Sequence, residues 1–378
     1  MRVAILGGGP AGLYFAALWK SRHQRDDVHV LEQNPAHATW GFGVVFSDRA
    51  LEFLREDDPE TVDLISPHME TWRDITIEHR GTAVAIDGVG FSAIGRLELL
   101  RLLQQRARAV GAQLAFETSV GALSALYGYD LIVAADGVNS LARRTFEREF
   151  GASLSHLENK FVWYGTPKRF ETLTQTFVAN ELGTFNAHHY RYAPAMSTFL
   201  VECDGATWIR AGLDTASEAQ SRRICEQAFA DTLQGAPLLS NRSIWRNFPW
   251  VWNERWSFRN IVLIGDALRT AHYSIGSGTR LAFEDALALV KALEAESRDL
   301  PAALRRYEAT RRPIVEKLVE ASRLSAAWYE SFGDHMRLEP LELAMSYVTR
   351  SGRIEPVRLR AMSPRFMALY DRRGTREP

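Results

Sequence analysis

The sequence predicts an α/β fold: a Rossmann-like dinucleotide-binding domain with an inserted, mainly antiparallel β-sheet domain and a C-terminal helical segment. Three observations predict it. Gly7-x-Gly9-x-x-Gly12 stands between an apolar strand and an apolar helix, and two later apolar strands run into acidic turns at Asp136 and Asp266. Between those turns lies a long stretch of alternating sequence rich in Phe, Tyr, Trp, Thr and Val, the residue types that suit a pleated, half-buried surface. The length of 378 residues, 46% of them apolar, with 26 Gly and 14 Pro, excludes disorder, collagen-like repeats and small disulfide scaffolds. It gives room for about two domains.

In chain order, Val3 to Leu6 reads as a strand, Gly7 to Gly12 as a tight turn, Leu13 to Lys20 as a helix and Val28 to Glu32 as the second strand of a βαβ unit. Gly41 to Ser47 reads as an apolar loop, and Thr71 to Phe91 as strands. Leu97 to Ala109 has helical apolar spacing, Gln113 to Val120 is compatible with a strand, and Asp130 to Ala135 is a short buried one. Asn159 to Arg210 alternates with period two, and Trp245, Trp250, Trp252 and Trp256 suit the packing of an inter-domain strand and turn. Val262 to Ile264 is a further strand, Gly278 to Leu293 and Pro301 to Leu324 are helices, and Pro340, Pro356 and Pro364 divide the tail into more helices. The expected division is 1–70, 93–155 and 257–325 for the dinucleotide domain, 71–92 and 156–256 for the substrate-binding sheet domain, and 326–378 for the helical tail.

Composition narrows the function classes. Forty-five Lys and Arg balance 46 Asp and Glu for a net charge of −1, so the basic surplus of a nucleic-acid binder is missing and an anionic ligand must be met by local positive charge. Cys203 and Cys225 lack metal-ligand spacing, which suggests neither a zinc site nor a disulfide framework. No stretch approaches the ~20 apolar residues of a membrane span. The apolar N-terminal run is interrupted by Gly7-Gly8-Gly9 before it reaches the length of a secretory signal. A cytoplasmic enzyme, a monomer or homodimer without nucleic-acid or membrane partners, is the expectation.

The glycine motif carries the first chemistry. Gly7 permits the tight turn, Gly9 lets a pyrophosphate approach the backbone, and Gly12 lets helix and strand pack closely, while the amides at the helix start face the phosphates. Glu32, at the end of the second strand, is placed to accept hydrogen bonds from ribose hydroxyls and to repel a 2′-phosphate. The ligand expected from these residues is FAD or NAD rather than NADP. The acid of Asp130-Leu-Ile-Val-Ala-Ala-Asp136-Gly137 and that of Ile261-Val-Leu-Ile-Gly265-Asp266 each close a parallel strand, where ligands of such sheets bind. In Gly276-Ser277-Gly278-Thr279, a glycine turn at a helix start aims amides and the positive dipole end at one ligand edge.

With these motifs in this order, most of the chain resembles the FAD-dependent aromatic hydroxylases of the para-hydroxybenzoate hydroxylase type. The resemblance implies FAD contacts from Gly7, Gly9, Pro10, Ala11, Gly12, Glu32 and Gln33 at the adenosine and pyrophosphate end. It places Arg96, Asp136, Gly137, Gly265 and Asp266 along the groove, Asp266 on the ribityl chain. Phe42, Gly43, Val44, Gly276, Ser277, Gly278 and Thr279 fall beside the flavin ring. It implies NADH or NADPH as a transient reductant, O2 as co-substrate, and ring hydroxylation through a flavin C4a-hydroperoxide.

Arg269, where the family often has histidine, and His272-Tyr273, where prolines are frequent, depart from the common pattern. With Gly41-Phe42-Gly43-Val44-Val45-Phe46-Ser47 they resemble the branch of salicylyl-CoA and 2-aminobenzoyl-CoA hydroxylases and the violacein-pathway tryptophan hydroxylase. The 2-aminobenzoyl-CoA enzymes usually continue into a reductase domain, which leaves open a one-reaction hydroxylase or the hydroxylase half of a longer protein. An aryl-CoA such as salicylyl-CoA is the favoured substrate; tryptophan or a tryptophan-derived indole, and a flavin reductase or oxidase that inserts no oxygen, are the alternatives. Period-two alternation puts His188, Tyr190 and Tyr192 on one strand face and His189 and Arg191 on the other. His188, Tyr190 and His272 are the candidate proton-handling residues, and Phe46, Tyr192 and Tyr273 the candidate substrate contacts. Lys160, Lys168, Arg169 and Arg191 are the cations considered for CoA phosphates.

Overall fold

A computed structural model describes residues 1–373, apart from the side chains of Arg49 and Arg373. The strands in chain order are β1 (Arg2–Leu6), β2 (Asp27–Leu31), β3 (Gly43–Ser47), β4 (Glu70–Trp72), β5 (Ile75–His79), β6 (Thr82–Ile86), β7 (Phe91–Gly95) and β8 (Gln113–Ala115). They continue as β9 (Leu131–Ala134), β10 (Ala152–Thr166), β11 (Leu173–Asn180), β12 (Gly183–Ala193), β13 (Met196–Cys203), β14 (Arg246–Asn253), β15 (Ser257–Phe258) and β16 (Ile261–Leu263).

The first sheet has the order β15-β16-β9-β1-β2-β8 and is parallel except for the β15 edge. Its central strands β1 and β9 are buried along almost their whole length, which is why they read as continuous apolar runs without alternation. The helix Pro10–Arg22 buries nine residues against helices 96–109 and 278–295, and Pro10 at its first turn fixes the entry of the chain. Every parallel strand of the centre ends on the same edge. That edge carries Gly7, Glu32, Asp136 and Gly265.

The second sheet, β14-β10-β13-β12-β11-β5-β6, is antiparallel except where β11 meets β5. It is the predicted inserted sheet, and β14 brings Trp250 and Trp252 along β10 as the tryptophan cluster suggested. The reading of Gly41 to Ser47 as a loop is corrected: Gly43–Ser47 is a strand pairing with β7 in a third sheet, β3-β7-β4. Residues 71–91 are therefore divided between two sheets. Gln113–Ala115 is shorter than the predicted strand because pairing with β2 ends at Leu31. The predicted helix at 301–324 extends over Leu300–Glu330 with Pro313 inside it, and the tail helices between 340 and 373 pack on β5 and β6.

Candidate active site

Two cavities meet along the carboxyl edge of the parallel sheet. The first, of about 930 Å³, begins at the β1 turn. Gly7 has φ +97°, and a Cβ there would collide with the carbonyl of Ala135; a Cβ on Gly12 would collide with the carbonyl of Gly7. These two glycines close helix onto strand. Gly9 differs, since its Cβ position meets no protein atom and opens into the cavity. Glu32 accepts the amide proton of Gly8 at 2.7 Å and that of Asn34 at 2.8 Å, which fixes its carboxylate in the cavity wall beside Gln33.

The second cavity, about 410 Å³, shares Gly9, Trp40, Arg96, Ala135 and Gly137 with the first, so the two form one groove. Pro10, Ala11, Gly43, Val44, Gly265 and Asp266 line one wall, with the turn Gly276 to Thr279 at the start of helix 278–295. Phe161, Trp163, Thr198 and Leu200 of the inserted sheet form the other. Arg96 donates its backbone N–H to the Phe42 carbonyl at 2.7 Å and its Nε–H to Thr39 at 3.0 Å. Burial lowers the pKa of Arg96 and raises that of Asp266. Asp266 is the countercharge of Arg96, and Arg269 also favours its ionised form.

Under the Gly265 turn lies a buried ion network. Asp285 accepts from Arg269 at 2.7 Å, from Arg311 at 3.1 Å and from the Gly265 N–H at 3.1 Å. Arg269, read from sequence only as a departure, thus holds the turn from behind.

The groove fits a long ligand with a phosphate-bearing middle and a flat ring at one end. One carboxylate oxygen of Asp136 accepts from the Leu141 N–H at 2.7 Å, while the other is buried without a partner among the described residues. Added Cβ atoms on Gly9, Gly137 and Gly278 would enter open space that a ligand backbone or ring can use. A buried guanidinium, a helix start and a carboxylate that can accept from hydroxyl groups follow one another along it, a set of groups that fits FAD.

The profile of the FAD binding domain family matches residues 129–322. Salicyloyl-CoA 5-hydroxylase of a Streptomyces species is 40% identical over 93% of this chain and 70% of that protein. The chain belongs to the FAD-dependent aromatic monooxygenases. The 3-hydroxy-4-methyl-anthranilyl-[aryl-carrier protein] 5-monooxygenase of Streptosporangium sibiricum is 38% identical over 94% of this chain and 95% of its own. Protodeoxyviolaceinate monooxygenase of Chromobacterium violaceum is 32% identical over 94% and 96%. In fold, the monooxygenase superposes on 2-methyl-3-hydroxypyridine-5-carboxylic acid oxygenase with a TM-score of 0.71 over 96% of both chains, at 18% identity. FAD is its cofactor, and NADH or NADPH supplies the electrons.

Among the monooxygenase's predicted substrate and proton residues, His188, Tyr190 and Tyr273 line the ring end of the groove. His188 Nε2 is buried without a partner among the described residues, and burial with the nearby Arg350 charge lowers its pKa to about 3, so its imidazole is neutral. Tyr190 donates its hydroxyl to the Gly43 carbonyl at 2.8 Å and is thereby fixed rather than free.

Four expectations are corrected. His272 does not line the groove: it is enclosed by Phe248, Tyr273 and Tyr329 and bonded to Ser274 at 2.8 Å. Phe46 does not line the groove but is buried in the core against Phe283. Tyr192, inside the register shift between Arg191 and Ala193, covers Gly43 and Gly95 instead of lining the pocket. Phe42 packs over Gly165 of the inserted sheet, and only its carbonyl engages Arg96.

Sequence reasoning missed Glu202. It accepts the hydroxyl of Tyr273 and, at 2.8 Å, the side-chain amide of Asn159, and burial pushes its pKa up to about 7. A strand acid in an otherwise aromatic and aliphatic run was the available signal.

Proposed function

We propose that this monooxygenase hydroxylates an electron-rich aromatic ring presented as a thioester, of the salicylyl-CoA or anthranilyl-carrier type, in the cytoplasm. The observation that carries this reading is the joint similarity, at 40% and 38% identity, to two enzymes named for ortho-substituted aryl thioesters. The ring end of the groove supports it, being largely apolar with few polar groups.

Glu32, Gln33, Asp136, Arg96 and Asp266 would hold FAD along the groove, with the turn Gly276 to Thr279 against the flavin edge. Bound and reduced FAD supplies the activation of O2 for transfer of one oxygen atom to the ring. The protein's part is positional and protic. Phe161, Trp163 and Leu200 exclude water around the ring. Tyr273 stands between the pocket and Glu202: as the substrate's ring hydroxyl or amino group gives its proton to the Tyr273 oxygen, Tyr273 passes its own to the Glu202 carboxylate. A carboxyl with a pKa near 7 is matched to that task, whereas His188 at about 3 is too weak a base and serves as a neutral hydrogen-bond partner.

The test supplies salicylyl-CoA, free salicylate and tryptophan, and measures substrate-stimulated NAD(P)H oxidation together with incorporation of labelled O2. Salicylyl-CoA should accelerate flavin reduction most, with one labelled oxygen atom per product. A tenfold preference for either free aromatic would discard the thioester reading.

A further inference from the structure

Behind His188 a separate cavity of about 360 Å³ opens to the surface, sharing Val45, His188, Gly276 and Ser277 with the ring end of the groove. Its inner part is apolar and buried, walled by Ile75, Leu173 and Val348. Arg350, Arg353 and Arg358 of the C-terminal segment and Arg280 of helix 278–295 line the remainder, and Asp48 is the single carboxylate there among the described residues. On a chain of net charge −1 this is a local concentration of positive charge.

Arg350 and Arg280 are half-buried in the cavity wall. Arg350 donates to the carbonyls of Ser274 and Tyr347, each at 2.6 Å, and Arg280 pairs with Glu284 at 2.6 Å. Arg353 and Arg358 are exposed at the mouth. The cations considered from sequence lie elsewhere. Lys160 is bonded to Asn247, Lys168 to Gln234 and Arg191 to Glu70, and none of them, nor Arg169, lines this cavity.

We infer that this cavity is the passage for the carrier arm of the substrate, and that Arg353 and Arg358 bind the phosphate of a phosphopantetheine thioester. The inference rests on the aryl-thioester reading. A ring held at His188 and Tyr273 must let its thioester arm leave the pocket, and the FAD groove is the wrong exit because the cofactor fills it. The second cavity starts at His188 and offers apolar walls for the uncharged pantetheine portion. It ends at guanidinium groups, whose planar forks match phosphate oxygens.

Three probes test it: salicylyl-CoA, the salicylyl thioester of phosphopantetheine, and that of pantetheine, which has no phosphate. With the FAD-loaded enzyme, the Arg353→Ala/Arg358→Ala pair should raise KM for phosphate-bearing thioesters about tenfold. It should leave kcat within twofold and KM for the pantetheine thioester unchanged, and an unaltered melting temperature and FAD content should confirm folding. A rise for both phosphate-bearing probes assigns the arginines to the arm phosphate that CoA and a carrier protein share; a rise for salicylyl-CoA alone assigns them to the nucleotide phosphates of CoA and overturns the arm-phosphate assignment. Equal effects on all three probes, no effect, or transfer of the phosphate-selective loss to Arg242→Ala/Arg246→Ala, two arginines that line the FAD groove instead, would overturn it. If the wild type hydroxylates free salicylate but no thioester, the aryl-thioester reading fails first, and this outcome is visible before any variant is made.

Discussion

At the scale of single residues, protonation depends on burial more than on residue type. Two histidines that the sequence offers as bases, His188 and His272, are both driven to about 3 by desolvation, with the Arg350 charge adding to it. Glu202 moves the other way. Its ordinary value of 4.5 rises to about 7, so hydroxylation should increase with pH through about 7 as the carboxylate forms. Glu202→Gln should remove that limb of the kcat profile and lower kcat by roughly 10²-fold, measured as product formation between pH 6 and 9.

The same shift has a stability sign. The folded state holds the Glu202 proton more tightly than the unfolded state, so this contribution is fully present below about 4.5 and is lost as pH rises through about 7. Its size is about 3 kcal/mol. Urea melts of wild type and Glu202→Gln at pH 5 and 8 should show the wild type losing more stability between the two conditions.

At the scale of elements, alternation along β12 gave the facing of its side chains but not which of them reach the cavity. His188 and Tyr190 share the cavity face, while His189 turns to Thr176 and Phe199, and Arg191 to Glu70. Tyr192 packs over Gly43, to which Tyr190 also bonds, but does not line the cavity, and the shift in pairing between Arg191 and Ala193 leaves no mark in a period-two pattern. Gly43–Ser47 looked like a loop because its strand partner lies about fifty residues further along the chain, at β7. The Asp285 network was also illegible, since it joins helix 278–295 to helix 300–330 and to the Gly265 turn only after packing. Asp285→Ala leaves Arg269 and Arg311 buried without that carboxylate and should cost ~3–5 kcal/mol in a denaturant melt. Retention of wild-type stability would show that the network does not hold the turn.

At the scale of the whole molecule, the ligand groove lies where the parallel sheet's edge faces the inserted sheet, and its walls come from residues as far apart as Gly9 and Thr279. Because FAD would bind this folded juxtaposition and not the unfolded chain, saturating FAD should stabilise the protein by about 4 kcal/mol at a thousand times Kd. The apoprotein should melt several degrees lower in a scanning fluorimetry titration, and a melting temperature insensitive to FAD would contradict the groove assignment.

The sequence by itself determined the parallel-sheet centre, the three glycine and acid turns and the kind of cofactor they hold, because those features depend on local backbone conformation and on residues close together in the chain. Only the tertiary structure decided which side chains reach the ring, that Glu202 joins Tyr273, and that four arginines gather behind His188. Those depend on strand register, on distant pairings and on loss of water around charged groups, and all three arise only once the sheets and the tail have packed.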